Sequence, residues 1–146
     1  MLLSVAISFM TMACSSEQCI VVSNVPEFQW HRDSARYLVF ENDDSLSKRT
    51  VALVVRYNTQ KISKQQIRVA LEFQSPQNEL YRDTLNCALQ CESSSAFGTQ
   101  QPRYQDQLYK FIEGAVLKYR GKYIVKINHF DEEYCEGIAA VGISIN

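Results

Sequence analysis

The sequence predicts an all-β domain, a single antiparallel sandwich or jelly roll, on three observations. Polar and apolar residues alternate over strand-length segments, β-branched and aromatic residues crowd those segments, and turn-forming residues separate them about every dozen positions. A chain of 146 residues has room for one such domain and is too short for two ordinary ones.

The first element is not part of that domain. Residues 1–13, MLLSVAISFMTMA, are uncharged and apolar, of signal-peptide length and well short of the roughly 20 residues that span a bilayer. Ala13 then precedes Cys14, which resembles the lipobox where bacterial lipoproteins are cleaved and acylated, although Thr11 stands where Leu is usual and no Lys or Arg precedes the run. The expectation is an export signal over 1–13 with lipid on Cys14. The alternative is a plain signal peptide cut near Ala13. Acyl chains on Cys14 would give stable membrane attachment, since two or more chains suffice where one does not.

Residues 14–26 are expected to be a tether, polar at first and extended at Pro26, with the sandwich occupying 27–146. The predicted strands follow in order: 35–42, 50–58, 66–74, 79–89, 108–117, 122–130 and 137–145. In 66–74, Ile67, Val69, Leu71 and Phe73 share one face, while Arg68, Glu72 and Gln74 share the other with Ala70. Only QLYKFIEGAVLKY competes as a helix, and Gly114 among β-branched neighbours weakens that reading. The Ser- and Gln-rich interval from Gln90 to Asp106 reads as a surface loop.

Composition excludes more than it assigns. With 46% hydrophobic residues, 21% charged residues and a formal net charge of −1, the chain has neither a disordered tail's composition nor a nucleic-acid binder's charge. Enzyme motifs are absent: no Gly-x-Ser-x-Gly elbow, no His-Glu-x-x-His and no phosphate-cradling loop. A Cys/His nucleophile pair would have to combine Cys19, Cys87, Cys91 or Cys135 with His31 or His129, and nothing in the spacing favours one. No catalytic residue, cofactor or metal is therefore expected.

With Cys14 acylated, four cysteines remain and allow three disulfide connectivities. Cys87 and Cys91 would stand roughly 13 Å apart on one extended strand, so their bonding requires a turn between them. Buried free thiols are an equal alternative, and a zinc site is a weak one, because two Cys-x-x-Cys pairs are lacking. The acidic DEEYCE at 131–136 lacks calcium-loop spacing and reads as a solvated hairpin turn.

Several features then combine. Trp30 with Asp33 follows the lipobox, Arg56-Tyr57-Asn58 ends one strand, and Asp83-Thr84-Leu85 lies on another. Gly121 and Tyr123 open a further strand, and Gly137-Ile138, Val141-Gly142-Ile143 and Ile145 close the chain. In this order they resemble the GldH family, the gliding-motility lipoproteins of the Bacteroidota. The resemblance implies a lipid-anchored protein of the cell envelope, partnered by other envelope proteins of a motility or secretion complex and not by nucleic acid. Each of these residues also has a structural reading: Trp30 as packing, Gly137 and Gly142 as backbone freedom, Arg56 paired with Asp83 across a sheet.

Two functions from different classes remain: a non-enzymatic component of a gliding or linked secretion complex, and a module binding a glycan or small ligand. For the second, Tyr81, Tyr104, Tyr109 and Tyr119 offer aromatic faces. For either, the protein extracted from its native membrane should begin at Cys14 and carry acyl chains that a Cys14→Ala variant lacks. An unmodified mass on a soluble protein would remove the anchor.

Overall fold

The computed structural model describes residues 18–89 and 103–146. Ten strands follow one another there: β1 (Cys19–Asn24), β2 (Gln29–His31), β3 (Arg36–Asn42), β4 (Lys48–Asn58), β5 (Gln66–Gln74), β6 (Leu80–Ala88), β7 (Tyr104–Val116), β8 (Gly121–His129), β9 (Tyr134–Glu136) and β10 (Ile138–Ile145). One sheet has the order β1-β10-β4-β7, the other β3-β8-β5-β6, and β2 with β9 forms a separate ribbon. Every pairing is antiparallel. This is the all-β sandwich that the alternation predicts.

The pleat explains the core. Because successive side chains leave a strand on opposite faces, Val51, Leu53, Val55 and Tyr57 of β4 meet Val141, Ile143 and Ile145 of β10 on one inner face. Ile67, Val69, Leu71 and Phe73 of β5, with Tyr123, Val125 and Ile127 of β8, form the other. Aromatic rings fill one end of the space between them: Phe40 stacks on Tyr123 at 5.2 Å between centroids, and Phe73 lies 5.1 Å from Tyr123.

QLYKFIEGAVLKY is strand up to Val116, as expected, with Gly114 at φ 60 within β7. The structure departs from the sequence reading at three places. The interval expected to be a loop up to Asp106 is already β7 from Tyr104 onward, and residues 90–102 of it lie outside the described residues. Within the span read as a tether, residues 19–24 are β1, paired with β10 from Cys19↔Ile145 to Asn24↔Ala140. Within DEEYCE only 131–133 turn, while Tyr134–Glu136 is β9 and pairs with β2. The expected signal segment 1–13, the acylation position Cys14, and Cys91 also lie outside the described residues.

Two glycines are required by close approach. Gly137 has φ 86, and a Cβ there would stand 2.7 Å from the Ile62 nitrogen. At Gly142 a Cβ would stand 2.1 Å from the Val21 carbonyl oxygen, so only glycine lets β1 lie against β10.

Val69 is fully buried on the inner face of β5. Val69→Asp should destabilise the domain by at least ~3 kcal/mol, through an unpaired buried carboxylate. A melting temperature within a degree or so of the parent would contradict this placement of the strand.

Candidate functional site

The two sheets are not sealed along the side where the edge strands β6 and β7 face each other. Each belongs to a different sheet, and no backbone ladder joins them. Side chains stitch the gap instead: the Tyr81 hydroxyl donates to the Phe111 carbonyl at 3.5 Å, and the Tyr109 hydroxyl donates to the Ala88 carbonyl. Beside the first bridge the surface opens into a groove of about 480 Å³.

The walls of the groove are apolar and aromatic. Phe73, Phe111, Leu117 and Tyr123 form its floor, with Leu80 and Val116 at its lip. Its rim is polar: Tyr119 donates a 2.8 Å hydrogen bond to Glu79, and the Lys118 ammonium lies 3.5 Å from the same carboxylate. The hydrogen bond to Tyr119, followed by the Glu79 charge, raises Lys118 above the ordinary lysine value. Burial likewise raises the Tyr123 phenol, leaving it a neutral hydrogen-bonding group on the floor. Such an arrangement suits a molecule with an apolar body and a polar end.

Of the four tyrosines expected to offer aromatic faces, Tyr81 and Tyr119 line this groove. Tyr109 spans the gap farther along, and Tyr104 stacks on Phe28 at 6.1 Å, away from it. The residues of the family pattern do not converge on one site. Trp30 is 1% exposed and its indole donates to the Ser34 carbonyl, while Asp33 is at the surface, 3.8 Å from the His31 imidazole. Gly121 opens β8, and Tyr123 belongs both to the core and to the groove floor.

Arg56 does not pair with Asp83. It stands opposite Asp106 on β7 and donates to that carboxylate through Nε at 2.8 Å and Nη2 at 3.1 Å. Asp83 lies on β6, in the other sheet, where its carboxylate accepts from the Thr84 amide. With both partners about 40–46% exposed, the Arg56–Asp106 bridge contributes no more than ~1 kcal/mol.

Among the described residues Cys19, Cys87 and Cys135 are free thiols, Cys19 exposed and the others buried. Burial pushes the Cys87 thiol up to about 12 and that of Cys135 up to about 11. Of the Cys/His combinations considered from the sequence, the structure brings together Cys135 and His129, with Sγ 3.4 Å from Nδ1. Burial also lowers the His129 imidazole, so neither partner carries charge near neutral pH. A nucleophile needs the opposite, a thiol brought down toward neutrality.

Fold and groove together define a class: an antiparallel β-sandwich whose sheets part along one side. The chain belongs to the GldH lipoprotein family, whose model matches residues 21–145. Membership makes it an envelope lipoprotein linked to gliding motility. No curated protein and no solved structure matches it. Among the described residues no helix is long and apolar enough to cross a membrane.

The groove should capture an apolar reporter dye such as N-phenyl-1-naphthylamine, with a rise in its fluorescence. Converting the lip residues with Leu80→Asp and Val116→Asp should weaken that binding at least ~10-fold, about 1.4 kcal/mol, without lowering the melting temperature. Unchanged dye affinity in the folded double variant would place the binding elsewhere.

Proposed function

We propose that this protein is a non-enzymatic component of the gliding machinery or its linked secretion apparatus, held to a bacterial membrane by lipid on Cys14. Its sandwich acts through protein contacts. The observation that supports this reading most directly is an apolar patch on the outer face of the second sheet. Tyr37, Val39 and Ile124 are 61%, 51% and 41% exposed there. Val39 stands directly opposite Ile124 in the β3–β8 ladder, and Tyr37 precedes Val39 by two residues on the same face.

Adjacent apolar side chains on a pleated outer face meet water unless a partner covers them. The charged pair of positions Glu41 and Lys122, opposite each other in the same ladder, supplies a polar border. β3 is an edge strand, so the patch runs to the margin of the sheet. The family match supports the motility context.

A second reading is favoured by a different observation. The groove between β6 and β7 supports a module that takes a small ligand, and its apolar walls suit an amphiphile better than a glycan. The readings separate experimentally. In a gliding host, replacing Val39 and Ile124 by Asp should abolish colony spreading while the protein remains at its normal level and acylated. Normal spreading by that variant, with loss of spreading in the groove-lip variant, would move the function to the groove.

A further inference from the structure

The connection from β8 to β9 carries three different metal-ligating side chains to a common point. His129 ends β8, Asp131 lies in the turn that follows, and Cys135 is the central residue of β9. Their donor atoms all lie within 4.8 Å of one another. His129 is 1% exposed and Cys135 2%, whereas the Asp131 side chain, 16% exposed, keeps the cluster in touch with solvent.

The surroundings fix these groups in the form a cation needs. His129 Nε2 lies 2.8 Å from the Trp30 carbonyl oxygen, which can only accept, so Nε2 carries the hydrogen. The Nδ1 lone pair is therefore left facing Cys135. Metal-bound imidazoles typically donate their distal N–H to a carbonyl or carboxylate in this way. Asp131 is held from behind: its Oδ2 accepts from the Arg68 amide at 2.8 Å, and Arg68 Nε lies 3.8 Å from Oδ1. A simple core hydrogen bond between Cys135 and His129 gives no reason for an anchored carboxylate beside it. An apolar pair would also fill the same space without burying polar atoms.

We propose that His129 Nδ1, Cys135 Sγ and the Asp131 carboxylate form a binding site for a zinc-like divalent cation, with water as the fourth ligand. Thiolate and imidazole select a borderline-soft ion and exclude magnesium and calcium, which take oxygen ligands. The thiol proton passes to solvent as the sulfur–metal bond forms. The ion ties β9 to the end of β8 and so fastens the β2–β9 ribbon over the core. Because the ligands come from seven consecutive residues, little chain has to be ordered to bring them together.

Trp30, the only tryptophan in the chain, reports on the site, since its ring centroid lies 4.7 Å from that of His129. The test is a titration of Co²⁺ into the full chain, purified and kept reduced. One Co²⁺ per chain should bind, with a thiolate-to-metal charge-transfer band in the near ultraviolet and quenching of Trp30 emission. Zn²⁺, the tighter binder, should reverse both.

Cys135→Ser should lose the band. Asp131→Asn, which retains an acceptor for the Arg68 amide, should weaken binding at least ~10-fold while melting like the parent in the presence of chelator. Cys19→Ser and Cys91→Ser should change nothing. If the parent gives no band, if the band survives Cys135→Ser, or if it follows Cys19 or Cys91 instead, the site does not exist. Should Cys135→Ser fail to fold, unchanged Co²⁺ affinity and Trp30 quenching in Asp131→Asn would overturn the assignment alone.

Discussion

The structure depends on the insertion of the last strand between the first and the fourth. β10 pairs with β1 on one side and β4 on the other, and the terminal residue is locked to β4 by reciprocal bonds between Asn146 and Thr50 at 2.9 and 3.0 Å. The insertion is possible because Gly142 has no Cβ: β1 approaches so closely that any side chain there would run into the Val21 carbonyl. Until the eight residues of β10 arrive, β1 has no strand partner and β4 is open along one edge. The sheet is therefore completed by contacts between the two ends of the domain, whose loop-closure cost is met late and favours slow folding.

The same topology explains why the groove is where it is. β6 and β7 are the outermost strands of opposite sheets on one side, so their inner faces meet only through side chains. Tyrosine suits that position, with an apolar ring against the core and a hydroxyl reaching a carbonyl of the other sheet. Where such a bridge is missing, the sheets leave a hollow walled by core residues. Elsewhere the polar atoms are matched: among the described residues no buried side-chain nitrogen or oxygen lacks a partner.

How much of this was legible in the sequence follows from strand length and from pairing. β5 was readable to its bounds, 66–74, because nine alternating residues with one buried face leave little freedom in its placement. β2 and β9 were not, since a three-residue strand buries one side chain and has no period to detect. β1 carries apolar residues on both faces, as an edge strand with Ile20 and Val22 exposed, and so resembled a spacer. The partner of Arg56 depended on which strands lie side by side, and Asp106 fell in what read as a loop. The cluster of His129, Asp131 and Cys135 was hidden by the charges of DEEYCE, which pointed to solvent although the Cys within it turns inward.

β1 begins five positions beyond Cys14. Even fully stretched, that leash reaches about 17 Å. A sandwich acylated at Cys14 would hang with its first strand close to the headgroups, too short-leashed to roam or to reach partners far from the bilayer. The outer edge of β1, a strand margin to which a foreign strand could otherwise add, would then be confined to the same narrow zone beside the bilayer, where the set of strands able to meet it is limited to those of other membrane-bound proteins.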